Sequence, residues 1–172
     1  MLIADLSLRP EAHTLISQYT CNPRAIFQKT DVTSWPSLSA LFSRAASDFG
    51  EIDIVCPGAG VYDPPWSNFW HPPGSEESRD AEQEGRYATL DINVTHPIRT
   101  TQLAIAEFLK NQAKPSGRSP GEGSNGSGSA KKQKRVLIVS SIAGQNANLH
   151  TPIYVAAKHA MYVPLFHFFF TS

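Results

Sequence analysis

Two periods alternate along this chain. Short apolar runs read as strands, and the stretches between them carry apolar residues at helical spacing. "MLIA" is a buried-strand pattern ending at Asp5. In "RPEAHTLISQY", Ala12, Leu15, Ile16 and Tyr19 share one helical face, with Pro10 in a first-turn position that tolerates it. "RAIFQKTDV" is the next strand. "TSWPSLSALFSRAASDFG" then places Leu38, Leu41, Phe42, Ala45 and Phe49 on one helical face, and Gly50 stands where a C-cap is wanted. "IDIVCPGAG" predicts a strand running into a glycine-containing turn, and a loop rich in aromatics and proline follows, "VYDPPWSNFWHPPGSEES". The pattern predicts one long helix over about 81–112 and a further strand at "VLIVSS". Alternating strands and helices imply a parallel sheet covered by helices on both faces.

Composition narrows the class. A chain of 172 residues is long enough for one domain with a real core. Its 15 basic and 15 acidic residues give a formal charge of zero, which removes an electrostatic motive for nucleic acid or acidic membranes. Cys21 and Cys56 make neither a disulfide framework nor a metal-ligand spacing, so a reducing, cytoplasmic setting fits and no metal is expected. "MLIADLSLRP" lacks the basic start of a signal peptide, and the apolar end "YVPLFHFFFTS" is shorter than the ~20 residues of a membrane span. Residues 114–134, "KPSGRSPGEGSNGSGSAKKQK", have almost nothing apolar to bury and are expected to form a flexible insertion in a single domain spanning 1–172. The basic run "KKQKR" at its end reads as a solvated loop end rather than a phosphate-binding patch.

The polar residues of interest fall at the strand ends. Asp5 closes the first strand, Asp31 follows the second, "PGAG" (57–60) closes the third, and Ser140 and Ser141 close the fourth. Open parallel sheets bind ligands at this edge. Thirteen residues after Ser141, "YVAAK" places Lys158 one helical turn beyond Tyr154, on the same face. A free tyrosine, with a pKa of about 10, is a poor base near neutrality, and a neighbouring ammonium favours its phenolate. Taken alone, the pair is better read as an exposed helix face. Pro97 has no N–H to give the carbonyl of Asn93, so that carbonyl should be free and the helix kinked there.

In order, "CPGAG", "LDINVTHP", "VSSIAG" and "YVAAK" resemble the signatures of the short-chain dehydrogenase/reductase family, over roughly Met1 to His159. Within it, "HPIRTTQLAI", "PGAGVYDPPW" and "YVAAKHA" look most like fungal relatives of 15-hydroxyprostaglandin dehydrogenase. The resemblance implies a doubly wound Rossmann-type α/β sheet and hydride transfer between a small secondary alcohol or ketone and NAD(P). It assigns catalysis to Asn93, Ser141, Tyr154 and Lys158. Tyr154 would be the acid–base group, Ser141 would hold the substrate oxygen, and Lys158 would also bind the nicotinamide ribose. The Asn93 carbonyl would hold a water linking Lys158 to solvent, the other reading being a plain proline kink. Cofactor contacts would come from Asp5, Asp31, Val32, Gly58, Ala59 and Gly60, together with Tyr154 and Lys158. A carboxylate at Asp5 repels a 2′-phosphate, so NAD is expected over NADP. Asp31 is equally a turn residue, and the glycines equally a tight turn. Trp66, Phe69, Trp70 and His71 receive no role.

The resemblance departs at both ends. The first family strand and its glycine-rich turn have no counterpart before Met1, and after Lys158 the match stops near Pro164. The expectation is therefore a domain lacking the first βα unit and the C-terminal strands. Its sheet either keeps an open slot or closes across it, and it binds NAD weakly. A non-catalytic remnant that associates with a longer homologue is the alternative, and homo-oligomerisation is left open.

Overall fold

The computed structural model describes residues 1–112 and 133–162. Strand β1 (Leu2–Asp5) leads into helix α1 (Pro10–Ile16), strand β2 (Ile26–Lys29) and helix α2 (Trp35–Phe49). Strand β3 (Ile54–Val55) is followed by the long loop, a 3-10 turn (Glu82–Glu84) and helix α3 (Ala88–Leu90). A π turn (Asp91–Thr95) then runs straight into helix α4 (His96–Gln112). Strand β4 (Arg135–Val136), a 3-10 turn (Ile142–Gly144) and helix α5 (Pro152–Tyr162) complete the described chain.

Both strand pairings are parallel. Leu2 to Asp5 of β1 register with Ile26 to Lys29 of β2, and Ile54 and Val55 of β3 register with Arg135 and Val136 of β4. Among the described residues β1 and β3 are not hydrogen-bonded to each other. Of the two expected outcomes, closure of β1 onto β3 is not seen among the described residues. One edge of β1 and one of β3 have no ladder partner among the described residues, which costs hydrogen bonds that an interior strand makes on both sides. Strand β4 is shorter than its sequence suggested. "VLIVSS" promised a longer strand, but the ladder ends after Leu137 N–H donates to the Val55 carbonyl (2.9 Å), and Leu137 and Val139 stay exposed.

Helix α2 begins and ends where its sequence predicts. Ser34 caps it by accepting from Ser37 N–H, and Gly50 closes it at φ +75°, a conformation that favours glycine. Its packing is thinner than the apolar face suggested, because only Leu38 is buried and Phe49 is exposed. Helix α1 buries none of its residues, and Leu15 and Tyr19 lie in solvent. The core sits further along the chain, where Ala104 and Phe108 of α4 and Ile153, Ala157 and Met161 of α5 are buried.

The helix expected over 81–112 is interrupted. Gly85 takes a left-handed φ of +59°, so regular helix starts only at Ala88. The kink expected at Pro97 appears as a π turn. Pro97 has no N–H for an i→i−4 bond, and the backbone widens so that His96 N–H reaches the Asp91 carbonyl.

Candidate active site

Helix α5 carries Tyr154 and Lys158, and the turn after β4 carries Ser141. The structure brings them to one edge. Ser141 and Tyr154 line the same open cleft, of about 330 Å³, together with Tyr62, Ile142, Ala143, Asn146, Ala147 and Asn148. The Lys158 ammonium lies 5.4 Å from the centroid of the Tyr154 ring and donates to the Val139 carbonyl at 3.0 Å. Lys158 is only 8% exposed, and burial pushes its pKa below the ordinary lysine value. Ser141 is extended, and its hydroxyl oxygen accepts from Ala143 N–H at 3.2 Å.

Gly144 explains how closely the Ser141 turn approaches α5. A Cβ there would lie 2.7 Å from the Lys158 carbonyl oxygen and 3.2 Å from Ser140 Oγ. Only glycine lets the turn lie against the helix backbone at the residue that positions the ammonium.

Asn93 has a side-chain role beside the one expected of its main-chain carbonyl. Its side chain is buried and pairs with the backbone of Val61, accepting from the N–H at 2.9 Å and donating to the C=O at 2.8 Å. The residue therefore anchors the loop that leaves β3. Gly60 is constrained by the same contact, since a Cβ would meet Asn93 Oδ1 at 3.1 Å. Gly58 is not so constrained, as a Cβ there finds only ordinary contacts near 3.8 Å. Packing within the chain therefore does not demand a glycine at position 58.

Asp5 and Asp31 lie at the matching ends of β1 and β2, where Thr30 N–H donates to the Asp5 carbonyl at 2.8 Å. Asp5 is exposed, with one carboxylate oxygen taking the N–H of Leu6 at 2.7 Å. Asp31 folds one oxygen back onto Thr33, accepting from its N–H at 2.9 Å and its hydroxyl at 2.7 Å, as a turn residue does. Val32 follows it in that turn, half-buried.

Tyr62 and Asp63 were overlooked in the sequence, hidden in a loop without periodicity. The Tyr62 ring meets the Tyr154 ring edge-on, with centroids 4.7 Å apart and planes at 73°. Farther along this loop, Trp70 Nε1 donates to the Leu149 carbonyl at 3.2 Å, next to the turn that opens α5. The only available signal was position: both residues follow directly on the "PGAG" turn at the ligand-binding edge.

The profile of the family described as short chain dehydrogenase matches residues 2–118. The chain is 26% identical over 170 residues to the short-chain dehydrogenase/reductase prx4 of Penicillium roqueforti, covering 92% of this chain and 43% of the relative. It is 30% identical over 141 residues to the short-chain dehydrogenase/reductase ascJ of Acremonium egyptiacum, covering 79% and 39%. Over 41 residues it is 44% identical to the cis-4-hydroxycyclohexanecarboxylate dehydrogenase of Sinomonas cyclohexanicum, covering 24% and 16%. The chain thus spans less than half the length of these relatives. Among solved structures, the apo form of LigO from Sphingobium superposes with a TM-score of 0.63 at 22% identity, over 94% of this chain and 48% of that one, so the likeness is one of fold. Parallel βα units with the ligand edge at their strand ends, and a profile match over more than half the sequence, lead to one assignment: the chain belongs to the short-chain dehydrogenase family.

Proposed function

We propose that this edge performs NAD(P)-linked interconversion of a neutral secondary alcohol and its ketone. The observation that carries the reading is the placement of Ser141 and Tyr154 in one open cleft, with the Lys158 ammonium behind the tyrosine ring. The nicotinamide supplies the hydride acceptor. Tyr154 takes the hydroxyl proton of the alcohol at its phenolic oxygen. Lys158 favours the phenolate by its charge, and the Ser141 hydroxyl holds the substrate oxygen while charge develops there. Asp5 fits the adenosine ribose, because it is exposed at the end of β1 and keeps one carboxylate oxygen for a diol. A carboxylate in that place argues for NAD over NADP. The cleft is lined by tyrosines, small apolar residues and amides, which suits an uncharged substrate.

Two observations point to weak cofactor binding by the 172-residue chain on its own. Among the described residues β1, which carries Asp5, and β3 belong to separate sheets, so no shared ladder fixes Asp5 against the half of the site that carries Tyr154. No glycine-rich turn opens a helix at this edge among the described residues, so pyrophosphate has no ready helix N-terminus. These same features favour a second reading, in which the chain acts as a binding partner of a longer homologue. Calorimetric titration with NAD, alongside an absorbance assay for NADH with cyclic and open-chain secondary alcohols, separates the two. Weak binding with slow turnover that Tyr154→Phe abolishes supports the dehydrogenase reading. Turnover that survives Tyr154→Phe removes it.

A further inference from the structure

Tyr154 is held from two directions by consecutive residues of the loop after β3. At its ring, Tyr62 packs edge-on at 4.7 Å. At its backbone stands Asp63. The first turn of α5 has little capping of its own. Pro152 has no N–H, Val155 N–H is taken by the Thr151 carbonyl at 3.0 Å, and the Thr151 hydroxyl is buried without a partner. The N–H groups of Ile153 and Tyr154 remain as the orphan donors that every helix N-terminus carries. Both carboxylate oxygens of Asp63 are buried, neither has a close and well-aligned partner, and these two amides face them. Burial raises the Asp63 pKa, and the amides of Tyr154 and Ile153 pull it partly back, as expected of a carboxylate at the positive end of a helix. Asp63 also holds a φ of +33°, a left-handed conformation in which a non-glycine residue persists only when its surroundings fix it.

From this geometry we infer that Tyr62 and Asp63 are positioning residues for Tyr154. Tyr62 sets the ring, and Asp63, a buried carboxylate held by a distant loop beside the first-turn amides of α5, acts on that turn through its charge rather than through a hydrogen bond. The inference rests on Tyr154 being the reacting group, as proposed above. It adds that the loop after β3 controls where the phenol stands relative to Ser141. Asn93 completes the arrangement by fixing Val61, the residue just before the pair.

The test reads structure rather than turnover, so its failure is separate from any failure of the dehydrogenase reading. Amide exchange and tyrosine ring shifts are followed by NMR on the isotope-labelled, ligand-free chain. The variants are Asp63→Ala, Asp63→Asn, Tyr62→Leu and Tyr62→Phe. In Asp63→Ala the Ile153 and Tyr154 amides should exchange about two- to fivefold faster, the scale of a lost charge at a helix N-terminus. Ala104 and Phe108 in α4 should stay as protected as before. Asp63→Asn, which keeps the shape and removes the charge, should speed exchange to the same extent while moving the Tyr154 amide proton upfield. Tyr62→Leu should move the Tyr154 ring signals, and Tyr62→Phe should leave them in place. Unchanged exchange at Ile153 and Tyr154, or a loss spread equally over α4, overturns the inference. If Asp63→Ala does not fold, an unmoved Tyr154 amide in Asp63→Asn overturns it equally.

Discussion

At the scale of single residues, two groups make the local physics testable. Gly144 touches the backbone of Lys158, and backbone cannot swing aside as a side-chain tip can. Gly144→Ala should therefore push the Ser141 turn away from α5, at an overpacking cost of about 1–3 kcal/mol. Calorimetry should show a melting temperature lower by several degrees. His96 is buried beside the π turn, with its Nδ1 3.1 Å from the Ile92 carbonyl. Burial is the larger influence and lowers its pKa from the ordinary 6.5, while that hydrogen bond raises it in part. The sign follows directly. Above the ordinary value neither folded nor unfolded chain binds the proton. As pH falls below it, the unfolded chain is protonated first, and stability is lost until the lowered native pKa is passed. The melting temperature should fall more steeply between about pH 7 and pH 5 in the wild type than in His96→Gln.

Among elements, the decisive contact joins the aromatic loop to the helix that carries Asn93. The Ser67 hydroxyl donates to Asp80 Oδ2 at 2.7 Å and accepts from Thr89 N–H at 3.0 Å. Thr89 Oγ1 donates to the Ser67 carbonyl at 2.7 Å, and Asp80 Oδ1 takes the N–H of Ala88 at 2.9 Å. Ser67, Asp80 and Thr89 are all buried, so each group depends on the others for satisfaction. Ser67→Ala should leave an N–H and a carboxylate oxygen without their partner and cost about 1–3 kcal/mol. Urea unfolding should show a lower midpoint with an unchanged slope. None of these pairings was legible in the sequence, because they join residues in a loop without periodicity to a helix start displaced by Gly85. The existence and order of the main elements were legible, since strand and helix periods differ. So was the end of α2, which Gly50 marks. The extent of apolar burial was not, because a helical face is buried only where another element covers it. Leu15 and Leu38 look alike in sequence, yet one is exposed and the other is in the core.

For the molecule as a whole, the main architectural feature among the described residues is that the two strand pairs form separate two-stranded sheets, while helix α1 buries none of its residues. The expected insertion at 114–134 falls mainly outside the described residues. At Lys134 the basic run departs from the expected solvated loop end, while Gln133 and Arg135 on either side of it are exposed. Lys134 is nearly buried, donating to Asp53 Oδ1 at 2.9 Å and the Ile52 carbonyl at 3.0 Å, with Glu51 as a further partner. It ties the start of β4 to the residues before β3, an anchoring that a run of lysines in sequence cannot reveal. The apolar end, 163–172, also lies outside the described residues, and among those described no helix is long and apolar enough to cross a membrane.

By itself the sequence determined the chemistry available and its linear order. Serine, tyrosine and lysine stand at spacings that a strand, a turn and a helix convert into proximity, and Pro97 forces a break in helical bonding wherever the chain folds. Those consequences follow from local covalent geometry and need no distant partner. Only the tertiary structure decided that Asn93 spends its side chain on Val61, that Gly60 and Gly144 answer to particular neighbours, and that Tyr62 and Asp63 meet Tyr154. Each of these is a contact between segments far apart along the chain. The energy of such a contact depends on which surfaces arrive together, and no period or motif in either segment records that.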